Sequence, residues 1–266
     1  MAVLRNLHLV ARSLAGEERT TRVGVNLGKN KSSLESSDED YIRGLRFFAD
    51  CDVIDYFVIN VSSPNTPGLR RLQQKEQLSR LLDAVADARR EAVDWRKPVL
   101  LKISPDLSPD ERQQVCEVIV KANEKRRTVD GIIVSNTTTS RPENSQEELI
   151  DEVGGLSGAP LRSLSTEAIA HVYRLTRGCL PIIGCGGVFT GDDAFEKIKA
   201  GASLVQIYTS FAIQGPPVVA AINRRLVSLL RSAGDSRLSC RLSLSPFLQG
   251  KRLSVRVTGG WNWSRE

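Results

Sequence analysis

Short apolar runs alternate with helix-like segments along residues 23–230, and this alternation constrains the fold more than any other feature. Nearly continuous apolar runs are typical of strands that are buried on both faces, as in a parallel sheet covered by helices. The predicted strands are Val23–Leu27, Tyr56–Val61, Val99–Ile103, Gly131–Asn136, Pro181–Cys185 and Leu204–Tyr208. The predicted helices lie near Asp40–Asp50, Lys75–Ala92, Pro109–Lys125, Ser165–Arg177, Asp192–Ala200 and Pro217–Leu230.

Polar residues follow each predicted strand at its carboxyl end. In a (β/α)8 TIM barrel this end carries the active site, and the last two strands commonly form a phosphate site. The GCGGV and LVQIYTS segments suit those last two strands. The fold is therefore predicted as α/β, a (β/α)8 TIM barrel here lacking its first two βα units and so having six strands. A curved sheet of six strands cannot close into a barrel, so we expect unpaired edges at the strands that begin at Val23 and Leu204.

The segment from Asn60 to Arg70, NVSSPNTPGLR, is dense in hydrogen-bonding side chains. Two amides and three hydroxyls fall within seven residues, directly after a buried strand. This composition suits a flat, polar substrate, although an isolated cluster of this kind is more often an Asx- and Ser-rich turn. The wider pattern of polar strand ends favours the site.

Charge and cysteine content exclude several classes of function. Residues 231–266 hold seven Lys/Arg and two Asp/Glu, so they account for +5 of the net charge of +6. A basic end of this kind is weak evidence for nucleic acid, and no nucleic-acid partner is predicted. The five cysteines have no CxxC spacing, and the two histidines, His8 and His171, are far apart, so no metal site is predicted.

An ordered set of segments resembles the dihydroorotate dehydrogenase family, in its quinone-linked class. The segments are VNLGKNK, NVSSPNTPGLR, LLKISPDL, GIIVSNTTTSRP, GGLSGAPLR, PIIGCGGV and GASLVQIYTS. The resemblance runs from about Val23 to about Leu229. It implies an FMN cofactor, oxidation of (S)-dihydroorotate to orotate in pyrimidine (UMP) biosynthesis, and ubiquinone as electron acceptor.

The resemblance also implies roles for individual residues. Ser63 matches the catalytic base, and Thr66 matches the threonine that helps to receive its proton. Residues that match contacts to the substrate ring and carboxylate are Asn60, Asn65, Asn136 and Thr137. Residues that match FMN contacts are Asn26, Asn60, Lys102 and Ser135, with Gly158, Gly187, Tyr208 and Thr209 at its phosphate.

The chain departs from the family at both ends. Residues 1–22 are interpreted as the remnant of a barrel helix, with a transit peptide as the alternative, and residues 231–266 as a divergent, disordered basic tail. We expect the N-terminal segment through which the family associates with membranes to be absent from this sequence. For a eukaryotic member, the resemblance implies the mitochondrial inner membrane as location. One alternative is a catalytically inactive truncated isoform. A tRNA dihydrouridine synthase or the soluble class of the family is disfavoured because each would place a cysteine where Ser63 stands.

Overall fold

The computed structural model describes residues 5–6, 22–30, 32–33, 37–66, 68–91, 95–141, 152–233 and 256–257. The strands are β1 (Gly24–Leu27), β2 (Tyr56–Asn60), β3 (Val99–Ile103), β4 (Gly131–Val134), β5 (Ile182–Cys185), β6 (Leu204–Ile207) and β7 (Arg256–Val257). The α-helices are α1 (Glu39–Phe48), α2 (Lys75–Glu91), α3 (Pro109–Lys125), α4 (Arg162–Leu175), α5 (Gly191–Lys199), α6 (Thr209–Gln214) and α7 (Pro217–Ala233). Two 3₁₀ turns span Leu69–Gln73 and Ala159–Leu161.

The seven strands form one parallel sheet in the order β1-β2-β3-β4-β5-β6-β7. Each pair of consecutive strands from β1 to β6 is separated by a helix, so the sheet is built from repeated βα units. This is the curled wall of a partial (β/α)8 barrel, and the predicted fold class is confirmed. The six predicted strands are all present, with ends moved by no more than two residues.

The main core lies between the outer face of this wall and the helices. Phe57 and Ile59 of β2 and Leu101 of β3 are fully buried there, together with Leu78 and Leu82 of α2. Alternate residues of a strand point to opposite faces, so these strand positions all face the helix layer. Burial of this apolar surface is the principal stabilising contribution to the fold.

The inner face of the wall carries a second, smaller cluster. Val58, Leu100 and Ile133 are buried on neighbouring strands, and the register pairs Val58 with Leu100. Asn60 and Lys102, two residues further along the same strands, are paired in register and therefore also face inward. The inner face thus changes from apolar to polar at the carboxyl ends of the strands.

A local sequence signal fixes the start of α3, and a long-range contact holds the end of β2. Ser108 caps α3 through a capping box in which its Oγ accepts from the Glu111 backbone N–H (3.2 Å) and a Glu111 carboxylate oxygen accepts from the Ser108 N–H (2.7 Å). Tyr41 of α1 is fully buried and donates its hydroxyl hydrogen bond to the carbonyl of Asn60 (2.9 Å). That bond holds the end of β2, where the polar cluster begins.

One of the two expected sheet edges differs from expectation. Strand β7 pairs in parallel with β6, Gln206 with Arg256 and Ile207 with Val257. The expectation of an unpaired β6 edge is therefore wrong at these positions, because a two-residue strand too short to give a sequence signal covers them. Strand β1 has no second strand partner among the residues that the structure describes.

The two predicted terminal segments lie largely outside the described residues. For residues 1–22 the description covers only residues 5–6 and 22, and for the tail it covers residues 231–233 and 256–257. The interpretations of a helical remnant and of a disordered tail stay predictions. Within the described part of the chain, no helix has the length and apolar character needed to cross a membrane.

Candidate active site

A hydrogen-bonded cluster of polar side chains lies where β2 and β4 end. The Oδ1 atom of Asn60 accepts from the Ser62 backbone N–H (3.2 Å), the Ser62 hydroxyl (3.0 Å) and the Asn136 amide (3.2 Å). Asn136 also donates to the Ser62 hydroxyl oxygen at 3.0 Å. The acceptor of the Asn60 amide is thus fully used, while its Nδ2 group has no partner among the described residues and is available to a ligand.

The loop after β2 carries the predicted catalytic pair. Ser63 is half-buried, and its Oγ accepts from the backbone N–H of Asn65 at 3.3 Å. Ser63 and Thr66 line a shared open cavity of about 240 Å³, which is also bordered by Arg70 and Thr139. An open cavity of this volume, lined by both hydroxyls, has room for water molecules next to them.

Thr137 and the Ser63 loop are held together by the segment that returns after β4. Thr138 and Leu156 form an antiparallel bridge with hydrogen bonds of 3.1 and 2.7 Å. Gly155 then lies against both loops: a Cβ atom there would fall 1.8 Å from Thr137 Oγ1 and 2.8 Å from Pro64 Cγ. Only a residue without a side chain fits this close approach.

The remaining inner-face candidates occupy neighbouring strands. Lys102 is half-buried beside Asn60, and its ammonium has no hydrogen-bond or ion-pair partner among the described residues. Asn26 is exposed on β1 and is paired in register with Val58, so it faces the same side. Ser135 is buried, and its hydroxyl donates to the Asn136 carbonyl at 3.1 Å. Lys102 and Asn26 are therefore accessible to a ligand on the inner face, whereas the Ser135 side chain is enclosed.

The predicted phosphate residues also converge. Gly158 and Gly187 have φ angles of 85° and 69°, and a Cβ atom on Gly187 would fall 2.5 Å from Arg162 Cα. A Cβ atom on Gly158 would touch Thr209 at 3.3 Å, and the Thr209 hydroxyl donates to Ser157 at 3.0 Å. The Gly158 turn thus lies at the start of α6 and the Gly187 turn at the start of α4, while Tyr208, just before α6, is exposed.

A buried lysine lies directly behind this cradle. The Lys197 ammonium donates to the Arg162 carbonyl (2.8 Å) and to the hydroxyls of Ser165 (2.5 Å) and Thr166 (2.6 Å), all in the first turn of α4. Its side chain is fully buried, and burial lowers the pKa of Lys197 to about 8. A positive charge behind the turns adds to the favourable field for an anion at the start of α4.

These features test whether the site suits FMN, the cofactor that the family resemblance implies. Glycine turns at positive φ, a helix start and a nearby buried cation suit a phosphate. An unpartnered lysine and amide groups on the adjacent inner face suit the polar edge of a planar ring. The residues present therefore fit a phosphorylated planar cofactor.

The structure adds site residues that the sequence analysis did not single out. Ser62 is fully buried and connects Asn60 with Asn136. Asp106, in the loop after β3, binds side chains from the two flanking loops. Its position directly after a predicted strand was the available signal, because polar residues at that end share one edge of the sheet.

Metal ligands are not clustered in the described part of the chain, where no group of three or more His, Cys, Asp or Glu side chains is suitably placed. The described cysteines, Cys51, Cys116, Cys179 and Cys185, are free thiols. Cys240 lies outside the described residues.

Comparisons with known proteins identify the family of the chain. The family model described as dihydroorotate dehydrogenase matches residues 6–230. A mouse protein named dihydroorotate dehydrogenase (quinone), mitochondrial, is 49% identical over 213 residues, which are 80% of this chain and 52% of the relative. An Azorhizobium caulinodans protein named dihydroorotate dehydrogenase (quinone) is 46% identical over 215 residues, covering 80% of this chain and 58% of the relative.

A solved structure shows the same fold. The crystal structure of DHODH from Eimeria tenella in complex with ferulenol matches with a TM-score of 0.80 and 34% identity, over 90% of this chain and 66% of that one. The chain spans about half the length of the curated relatives it matches. The chain belongs to the dihydroorotate dehydrogenase family, which sets aside a tRNA dihydrouridine synthase.

Proposed function

We propose that this chain forms the FMN- and substrate-binding face of a quinone-linked dihydroorotate dehydrogenase, which oxidises (S)-dihydroorotate to orotate in pyrimidine biosynthesis. The observation that carries the proposal is that two clusters lie at one end of one wall. The Asn60, Ser62 and Asn136 network stands beside the Ser63 loop, and the Gly158 and Gly187 cradle lies at the neighbouring strand ends.

Different groups of residues would bind the FMN phosphate, the FMN ring and the substrate. Gly158, Gly187 and Thr209 would hold the FMN phosphate, with Tyr208 beside them. Lys102 and Asn26 on the inner face, and the backbone around Ser135, would line its ring. Asn60, Asn65, Asn136 and Thr137 would hold the substrate ring and carboxylate, since amides can both donate to and accept from a pyrimidine dione.

The chemical step needs a proton acceptor on the substrate side. When bound, FMN would supply the hydride acceptor for the ring carbon next to the one that loses its proton. Ser63 takes the proton, and because a serine hydroxyl is a weak base, it must pass that proton on. Thr66 and the cavity of about 240 Å³ beside Ser63 provide the hydroxyl and the room for water that this transfer needs. Lys102 supplies a fixed positive charge on the inner face, which stabilises negative charge that develops there.

Flavin retention is the direct test. The purified chain is mixed with FMN, desalted and examined by visible absorbance, and then treated anaerobically with dihydroorotate. We expect near-stoichiometric flavin that is bleached by the substrate. Ser63→Ala should keep FMN but slow bleaching by at least about 100-fold, whereas Ser228→Ala, an exposed serine of α7, should behave as the unsubstituted chain. A protein that loses its FMN on desalting would contradict the proposal.

The electron acceptor and location belong to the same proposal. Relatives from mouse, rice and Arabidopsis thaliana are named mitochondrial dihydroorotate dehydrogenase (quinone), and we assign ubiquinone as acceptor and the mitochondrial inner membrane as location. Reoxidation of the bleached flavin by a soluble ubiquinone analogue, and cofractionation with inner membranes, would test each part. If oxygen reoxidises the bleached flavin but the ubiquinone analogue does not, the quinone is excluded as the acceptor.

A further inference from the structure

Asp106 joins three consecutive loops at the catalytic end of the wall. One of its oxygens accepts from the Thr138 hydroxyl. The other accepts from the Thr139 backbone N–H (2.9 Å) and hydroxyl (3.0 Å) and from Arg70 Nη1 (2.9 Å). Arg70 follows the Ser63 loop, Asp106 follows β3, and Thr138 and Thr139 follow Thr137.

The carboxylate is held in its charged form within this network. Burial would raise the pKa of Asp106, but the hydrogen bonds from Thr138 and Thr139 and the charge of Arg70 outweigh it and leave that pKa below its usual value. Only 15% of the Asp106 side chain and 29% of the Arg70 side chain are exposed. A partly buried, multiply bonded pair of this kind is worth more than a solvated surface ion pair.

The Asp106 network lies next to the predicted catalytic and substrate-binding residues but contains none of them. Arg70 and Thr139 line the same cavity as Ser63 and Thr66. Thr138 is the residue after Thr137, and it is also bridged to Leu156. Movement of the Asp106 carboxylate would therefore shift the proton-accepting loop and the substrate-binding loop relative to each other.

We propose that Asp106 is a positioning residue, which through Arg70, Thr138 and Thr139 sets the distance between the Ser63 loop and the Asn136–Thr137 loop. This inference rests on the proposed function for its catalytic consequence. Its structural part does not need FMN, because Gly158, Gly187 and Thr209 are not among the residues that Asp106 contacts. The two parts can therefore be tested separately.

The first test is amide hydrogen exchange on the whole chain. Asp106→Asn keeps the side-chain shape but removes the charge, so we expect at least about tenfold faster exchange at the amides of residues 62, 63, 65, 66 and 137–139. Exchange in β5 and α7 should not change. The matched control is Asp83→Asn, which also removes an aspartate bonded to an arginine (Arg126, 2.9 Å) but on the half-exposed surface of α2. Unchanged loop exchange, or equal acceleration throughout the chain, would overturn the proposal.

The second test separates positioning from general loss of structure. Asp106→Asn should retain FMN as the unsubstituted chain does and lower kcat about tenfold. Arg70→Gln should lower kcat less, and the double variant should be no worse than Asp106→Asn, since both act through one contact. Additive losses, or loss of FMN with Asp106→Asn alone, would overturn the proposal. If the unsubstituted chain shows no turnover, the proposed function fails, while the exchange comparison still decides the structural role of Asp106.

Discussion

Replacing Lys197 with methionine should change the pH dependence of stability in a specific window. Lys197 is fully buried, and its acceptors are the neutral Arg162 carbonyl and the Ser165 and Thr166 hydroxyls. The carboxylate that faces this region, Asp193, pairs instead with Arg162 at 2.8 Å. Burial lowers the pKa of Lys197 from 10.5 to about 8, so the folded protein holds this proton less tightly than the unfolded chain.

The magnitude and the sign follow from proton linkage. Each pKa unit corresponds to 1.36 kcal/mol, so the cost of keeping Lys197 charged in the folded state is about 3 kcal/mol. Below pH 8 both states are protonated and the cost is fully present. Between pH 8 and 10.5 the unfolded state binds more protons, so the free energy of unfolding rises with pH. A methionine does not titrate and removes this rise.

Urea unfolding followed by far-ultraviolet circular dichroism, at intervals from pH 7 to 10.5, measures the effect. The stability of the unsubstituted chain minus that of Lys197→Met should increase by about 3 kcal/mol across the window, because groups that do not interact with Lys197 contribute equally to both chains. Lys199→Met is the matched control: Lys199 lies on the same helix but its side chain is half-exposed, so its difference should stay within about 0.5 kcal/mol. A difference for Lys197→Met that is flat with pH would refute the reasoning.

Two further substitutions test the cradle and a helix start. Gly187→Ala places a Cβ atom 2.5 Å from Arg162 Cα at a φ of 69°, so the variant should lose FMN on desalting, and its free energy of unfolding in urea should fall by about 1–3 kcal/mol. The control is Gly28→Ala, whose added Cβ atom meets nothing within 4 Å. Full FMN retention by Gly187→Ala would remove this turn from the phosphate site. Ser108→Ala removes the capping box of α3 and should lower the free energy of unfolding by about 1 kcal/mol, and a change no larger than that of the exposed Ser163→Ala would mean that the cap contributes nothing.

The regular elements were predictable because their signals are local. The strand Val99–Ile103 and the helix Pro109–Lys125 were predicted with the bounds observed, since one is an uninterrupted apolar run and the other begins with a capping serine and a proline. Shorter elements gave no such signal. The six-residue helix Thr209–Gln214 and the two-residue strand Arg256–Val257 were missed. Segments this short show no hydrophobic periodicity and no capping residues at both ends.

The residues of the candidate site also fall into those that the sequence indicates and those that only the structure reveals. Ser63 and Asn136 were selected through the family resemblance, and each stands at the end of a strand that is visible in the sequence. The role of Asp106 could not be predicted, because it depends on the spatial relation of three loops that are 32 or more residues apart along the chain. Ser62 was counted among the hydroxyls of its loop but was given no role of its own, because only the folded chain shows that it connects Asn60 to Asn136.

The segment from Gly154 to Gly158 gives the two halves of the site a common support. At one end Gly155 lies against Thr137 and Pro64, in contact with the substrate side. At the other end Ser157 accepts from the Thr209 hydroxyl, and Gly158 turns beside it. Since four residues span both contacts, a shift of this segment moves the phosphate cradle and the Ser63 loop together. The two sides of the proposed site are therefore coupled through the backbone here, whereas Asp106 and Lys197 each act on one side only.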